Sequence, residues 1–476
     1  MSALAGNNVV LVGCATLILS VVSLALALVG RRYSGRRPDI IASGVVSLSL
    51  LTLFSYLLYR GGVSLVVGPQ QPMPFRIGCD YLSFLIVLNT CIVGALALLS
   101  SHDYLDIYGG RGYVPYYFCM LVFIYSIALL ALVRDWFWFL FLFEVMTFAS
   151  YFLVGYEYFE EGARRIAWNY FVMMHVLCST FLIAGVALTY VAAGGATGFN
   201  VTITRLCLPI AVLYLIAFAT KSGLFPLHFW LPDAHPVAPS PASALLSGCM
   251  VEIGVYGYYR VLTQLGFVDA RLGWVLLAVA FLSTLAGVAA YVRQVDVKRL
   301  FAWSTIDNTG WMYVLLAIPV LTGKLGMLEH QVPLLLGTYV LLHGLAKASA
   351  FISSGGVIYS FGTRNLNELS GAYEVSKPVI GSLIASMFAL EGVPPFGFFW
   401  AKFNVVRFCL SFNPVLGAAY VILWCLAFVA FLRFVHVLLN GQRSGGLELK
   451  RPASGWVTAS VAVLLAASVF FGVYLP

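Results

Sequence analysis

The sequence predicts an all-α polytopic membrane protein of about fourteen transmembrane helices, with two inverted five-helix repeats that each contain a broken helix. Three observations carry this expectation. The 476 residues are 61% apolar and only 10% charged, with a mean hydropathy of +0.94, whereas about a quarter of an ordinary soluble domain is charged. The apolar residues fall in long unbroken runs; about 20 such residues cross a bilayer as a helix, and a membrane barrel would show short alternating segments instead. Two runs are interrupted by proline and glycine beside a lysine or a glutamate.

The runs lie at about 8–29, 39–59, 81–99, 114–132, 134–154, 167–192, 207–231, 237–263, 272–292, 301–321, 332–358, 378–411, 414–439 and 455–475. The first is read as a span, because "NNVVLVGCATLILSVVSLALALVG" exceeds a signal's apolar stretch, lacks a basic start and leads into "RRYSGRR". They divide into a three-helix segment (1–113), a first repeat (114–263), a second repeat (272–439) and a C-terminal helix (440–476). With the N-terminus outside, fifteen lysines and arginines, among them Arg31, Arg32, Arg36, Arg111 and Arg443, fall in cytoplasmic loops, against seven outside. This satisfies the positive-inside rule and places both termini on the outer side of the cell membrane. The net charge of +8 therefore reflects topology, and nucleic acid is not an expected partner.

The nine cysteines form no CxxC pair and nearly all fall in apolar runs, as small core residues do. No loop is long enough for a soluble catalytic domain, and neither a cofactor motif nor a metal-ligand cluster is present. The expectation is a chain with no catalytic residue, cofactor or metal of its own, so that any redox or hydrolytic chemistry belongs to a partner.

Charge inside the spans is the functional signal. Glu144, Lys221, Glu252, Lys347, Glu391 and Lys402 all stand within apolar runs, where each costs about 3 kcal/mol on insertion scales unless paired or hydrated. Six such residues of both signs, interleaved with His175, His228, His343 and His436, suit a relay of protons or ions better than structural pairing. For His175 and His436 the role of a satisfied core donor fits equally well. His343 and Lys347 are four residues apart, so they share a helix face and a water could carry a proton between them. Gly223 and Pro226 follow Lys221 directly; Gly392, Pro394, Pro395 and Gly397 lie between Glu391 and Lys402. Proline removes a donor and clashes with the preceding turn, so both spans break near mid-membrane. The breaks are 168 residues and five spans apart, and an odd number of spans inverts the second copy, the signature of an inverted-repeat transporter.

At these residues the chain resembles the antiporter-like proton-translocating subunits shared by respiratory complex I, Mrp-type cation/proton antiporters and membrane-bound (group 4) hydrogenases. The resembling strings are "FEVMTFASYFLVGY", "KSGLFPLHFWLPDAHPVAPSPASALLSG", "IGVYGYYR", "DVKRLFAWSTIDNTGWM", "HGLAKASAFISSG" and "GVPPFGFFWAKF", which together cover about residues 115–410. The resemblance implies fourteen helices with repeats at spans four to eight and nine to thirteen, and an ion pair of Glu144 with Lys221 on a central water axis. It assigns the charged residues of the eleventh and broken twelfth helices to Lys347 and Lys402.

Two positions depart from the family pattern. Glu252 stands where a lysine is common before "IGVYG"; it suits a carboxylate-gated path, coordination of Na⁺ by a hard oxygen ligand, or pairing with Lys221. Glu391 is a second carboxylate outside the pattern. "DAHPVAPSPASALLSG" and the asparagine of "STIDNTG" look more like hydrogenase-type members, and the last run ends without the long lateral helix of the largest complex I member. The implied function is H⁺ or Na⁺ translocation within a redox-driven complex, running from Glu144 and Lys221 through Glu252 or His228, then His343 and Lys347, to Lys402. The implied partners are other antiporter-like membrane subunits and a redox arm with iron–sulfur and nickel–iron subunits. The alternatives are an Mrp-type Na⁺/H⁺ antiporter component without a redox partner and a non-pumping membrane scaffold.

Overall fold

The computed structural model describes residues 2–29, 37–62, 64–67, 75–109, 113–158, 161–441 and 447–475; Arg31, Arg32, Arg36, Arg111 and Arg443 lie outside them. In chain order the helices are α1 (Ser2–Val29), α2 (Arg37–Gly61), α3 (Tyr81–Tyr104), α4 (Tyr113–Leu132), α5 (Trp136–Val154), α6 (Glu161–Met173), α7 (Thr180–Ala192), α8 (Cys207–Ser222), α9 (Leu231–Val237), α10 (Ser240–Leu245), α11 (Val251–Gln264), α12 (Ala270–Tyr291), α13 (Val297–Thr322), α14 (Met327–Phe361), α15 (Ala372–Val375), α16 (Lys377–Glu391), α17 (Phe398–Phe412), α18 (Pro414–Asn440) and α19 (Gly455–Tyr474). One π turn, Met174–Ser179, joins α6 to α7, and another, Leu246–Met250, joins α10 to α11.

Among the described residues, ten passes are long and apolar enough to cross a membrane, with α6 and α7 counting as one. Four further segments complete fourteen: α8 with α9, α10 with α11, α13, and α16 with α17. Hydrogen bonds sort the connections onto two ends, as fourteen passes require. At one end Gly78 N donates to Leu132 O, Trp136 N to Thr197 O, and Ile203 N to Gln264 O. At the other, Val297 N donates to Arg364 O, Gly371 N to Val437 O, Lys450 N to Ser360 O, and Ser454 Oγ to Asp103. The bundle is apolar on both sides of its wall. Side chains such as Phe141, Phe152, Trp168, Trp274 and Trp400 are exposed on its flank, as lipid-facing helices demand.

One element departs from the all-α expectation. Strands β1 (Leu65–Val67) and β2 (Phe75–Ile77) pair antiparallel, Leu65 opposite Ile77, beside the start of α3. Three residues per strand are too few for a period-two pattern to register in sequence.

The two expected breaks are built alike. α8 ends at Gly223 with φ +68°, Leu224 N donating to Ala219 O (2.9 Å) and Gly223 N to Thr220 O (3.2 Å). α16 ends at Gly392 with φ +71°, Val393 N donating to Phe388 O (3.0 Å) and Gly392 N to Ala389 O (3.2 Å). Both are left-handed glycine caps with paired backward bonds, a conformation in which a side chain would be strained. A tryptophan adds a donor at each: Trp230 Nε1 donates to Thr220 O (2.8 Å), which also accepts from Gly223 N, and Trp424 Nε1 donates to Glu391 O (2.7 Å). Helix-end carbonyls inside an apolar bundle depend on such donors.

Candidate functional site

Lys221 is the last-turn lysine of α8, where the negative end of the helix dipole favours a cation. It is fully buried; Nζ donates to Thr147 Oγ1 on α5 (2.9 Å), lies 3.8 Å from Met174 Sδ and stands 4.8 Å over the Phe143 ring. Glu144, also on α5, turns instead to the π turn, its Oε2 lying 3.3 Å from His175 Nε2, with both side chains about a quarter exposed. Glu144 and Lys221 are within electrostatic reach, but among the described residues no ion pair joins them. The reason is helical spacing: Thr147, three residues from Glu144, points at the lysine, and Glu144 faces the bundle flank. His175 fits both expectations: Nδ1 donates to Phe171 O (2.9 Å), as a core donor does, and Nε2 faces Glu144.

Glu252 is fully buried and does not meet Lys221. Its Oε1 lies 2.9 Å from His343 Nδ1 on α14, and its Oε2 accepts from Asn89 Nδ2 on α3 (2.9 Å). His343 is consequently drawn away from Lys347, one turn along the same helix. Lys347 Nζ donates to Phe301 O (2.8 Å) and to Ser304 Oγ, both on α13. The shared face expected for His343 and Lys347 exists, but each residue is held by a different neighbouring helix.

The second break encloses the densest charge. Lys402 on α17 and Glu391 at the end of α16 are 1% or less exposed, with Nζ 3.9 Å from Oε2. The ammonium lies 5.1–5.8 Å from the rings of Phe398, Trp311 and Trp424, positions at which the ring faces attract a cation. Asp307 on α13, which sequence reading missed, completes the group. It is buried, accepts from Tyr291 Oη (2.8 Å) and Trp311 Nε1 (3.0 Å), and is within electrostatic reach of Lys402 and Lys347. The signal was present, since Asp307 is a carboxylate inside an apolar run.

His228 stands apart, on the irregular segment between α8 and α9, its ring against Phe225, Phe229 and Trp303. None of the described hydrogen bonds or ion pairs joins it to another charged candidate. His436 is exposed on α18. Lys298, one of the fifteen cations expected in cytoplasmic loops, is buried at the start of α13, donating to Pro236 O (3.4 Å) and Ala238 O. It lines a cavity of about 560 Å³ with Tyr104, Tyr108, Glu157 and Arg364. Among the described residues, no group of three or more His, Cys, Asp or Glu side chains is placed to hold a metal ion.

A polytopic bundle with two glycine-capped breaks and an interior row of charges has the build of an antiporter-like membrane subunit. The family model for the NADH:quinone oxidoreductase/Mrp antiporter transmembrane region matches residues 133–427, and the chain belongs to that family. It is 30% identical over 382 residues to hydrogenase-4 component B of Escherichia coli, covering 76% of this chain and 55% of that protein; the chain thus spans about half the length of that relative. It is 25% identical to a Na⁺/H⁺ antiporter subunit of Alkalihalophilus pseudofirmus, covering 98% and 94% respectively. The fold is that of a chain in the archaeal membrane-bound sulfane sulfur reductase (TM-score 0.82, 23% identity, 96% of this chain and 75% of that one). It is also that of a chain in the Mrp complex of a Dietzia species (TM-score 0.79, 21% identity, 97% and 94%).

Proposed function

We propose that this chain translocates H⁺ or Na⁺ as one membrane subunit of a redox-driven, hydrogenase-like complex, and that its plasma-membrane orientation places both termini outside. The observation that carries the reading is the 2.9 Å contact of Glu252 with His343. It bridges the span holding Glu252 to the span holding Lys347, so that a buried row runs from Glu252 through His343 and Lys347 to Lys402. Residues 114–263 and 272–439 act as two inverted repeats, each with its own break.

In this reading a change of charge in a neighbouring subunit acts on Glu144, which is about a quarter exposed on the bundle flank. Withdrawing its field from Lys221 alters the lysine's hold on its proton, because opposite charges in a low-dielectric site stabilise each other strongly. The proton leaving Lys221 travels through waters at the break to Glu252, crosses to His343, and reaches Lys347 and Lys402. The cavity beside Lys298 admits water from the cytoplasmic end. A redox arm with iron–sulfur and nickel–iron subunits supplies the driving event; similarity to the hydrogenase-4 component favours this partner.

A second reading has its own support. The chain is nearly coextensive with the Na⁺/H⁺ antiporter relative from Alkalihalophilus pseudofirmus, which favours a Na⁺/H⁺ antiporter complex without a redox arm. Everted vesicles decide between them. Under the redox reading, substrate-driven acidification is lost in Glu144→Gln and Lys221→Ala while the chain stays in its complex; unchanged pumping in both would sink the relay. Under the antiporter reading, an imposed pH gradient drives Na⁺ exchange with no electron donor present. A non-pumping scaffold predicts loss of assembly in place of loss of turnover.

A further inference from the structure

Asn89 belongs to α3, outside both proposed repeats, and is fully buried. Its amide nitrogen donates both protons across the helix interface: to Gly248 O in the π turn (2.6 Å) and to Glu252 Oε2 (2.9 Å). The amide orientation follows from chemistry, because a carbonyl such as Gly248 O can only accept, so the NH₂ group must face it.

Three backbone features make room for this side chain. A π turn offsets the hydrogen-bond ladder around Gly248, and such turns often mark functional positions. A Cβ on Gly344 would lie 2.3 Å from both terminal atoms of the Asn89 amide, and one on Gly248 would lie 2.9 Å from Gly344 O. The helices α3, α11 and α14 therefore meet in a notch lined by two glycines and filled by one amide, next to the carboxyl that faces His343.

We infer that Asn89 is a positioning residue for ion passage through Glu252: it fixes Oε2 so that Oε1 is presented to His343 Nδ1. A carboxyl group without the amide donor can rotate, and only one rotamer faces the imidazole. This rests on the reading that Glu252 and His343 carry the path between the two halves. The three-helix segment would then act on transport through a single hydrogen bond, in addition to packing.

The test uses the purified complex containing the full chain. The Glu252 carboxyl vibration is assigned in an infrared difference spectrum by its loss in Glu252→Gln, and pumping is measured in reconstituted vesicles. Asn89→Leu keeps the approximate volume and removes the donors; Asn89→Asp keeps the shape and reverses the hydrogen-bond sense; Gly344→Ala displaces the amide without changing it. All three are expected to shift the Glu252 band, because a hydrogen bond accepted by a carboxyl oxygen lowers its stretching frequency. They should also slow pumping roughly fivefold, as for one lost intramolecular hydrogen bond. A filler role predicts that Asn89→Leu, which keeps the volume, leaves the pumping rate unmoved, and that result would overturn the proposal. Normal pumping in Glu252→Gln would instead remove the path through Glu252, whatever the band does.

Discussion

The two broken helices share their caps but differ in the charges they hold. At the first break a single lysine sits at a helix C-terminus, the end that favours a cation, and rests on a neutral hydroxyl, while its nearest carboxylate turns to a histidine on the bundle flank. At the second, a glutamate occupies the equivalent C-terminal turn, where the dipole opposes a carboxylate. It is no more than 1% exposed, faces Lys402 at 3.9 Å and is within electrostatic reach of Asp307, while three aromatic rings surround the lysine. A like backbone therefore carries unlike electrostatics. The first site buries its lysine fully and leaves only Glu144 part-exposed on the flank, whereas the second buries its ammonium and carboxylate together.

The difference is most easily broken at Glu391. Glu391→Gln leaves Lys402 buried opposite a neutral amide, and removing one partner of a buried pair typically costs about 3–5 kcal/mol. The expected outcome is loss of the chain from the assembled complex, measured by immunoblot of native gels. Combining it with Lys402→Met should restore assembly without restoring pumping. If Glu391→Gln alone assembles and pumps normally, the second break is not a compensated cluster.

Asp307 sharpens the same contrast at lower cost. Asp307→Asn keeps one acceptor oxygen for Trp311 Nε1 and turns its NH₂ to Tyr291 Oη, which must then accept; the charge is removed and two charge-assisted hydrogen bonds become neutral, at about 1 kcal/mol each. Assembly should persist with a melting temperature a few degrees lower, and pumping should fall because Lys347 and Lys402 lose a shared counter-charge. Wild-type rates in this variant would confine the compensation to Glu391 and Lys402.

What the sequence made legible follows from the range of each cause. The breaks could be read because glycine and proline act on their own turn, and the buried charges because a single Glu or Lys in an apolar run is conspicuous. Pairing could not be read, because it is fixed by which helices cross: Glu252 meets a histidine 91 residues away and an asparagine 163 residues away. The face shared by His343 and Lys347 was foreseen from spacing, but α11 and α13 claim one residue each. Asp307 was passed over although the rule that singled out Glu144 applies to it equally. Asn89 gave a fainter signal still, one uncharged amide in "YLSFLIVLNTCIVGALALL", and its importance rests on two glycines far along the chain.

The smallest expected effect tests the first break. Thr147 Oγ1 donates to Phe143 O (2.8 Å) and accepts from Lys221 Nζ (2.9 Å), so Thr147→Val removes the ammonium's hydroxyl acceptor at nearly constant volume. The Phe143 ring remains beneath it, which limits the loss to about 1.5 kcal/mol, the lower end for a hydrogen bond to a charged group. The lysine is then free to swing toward Glu144, which is already within electrostatic reach. Pumping should therefore slow by about tenfold at most, and Thr147→Ser should restore it. A fall as steep as that expected of Lys221→Ala would mean that the hydroxyl, and not Glu144, holds the charge in place, so the first site, like the second, would rest on buried partners alone.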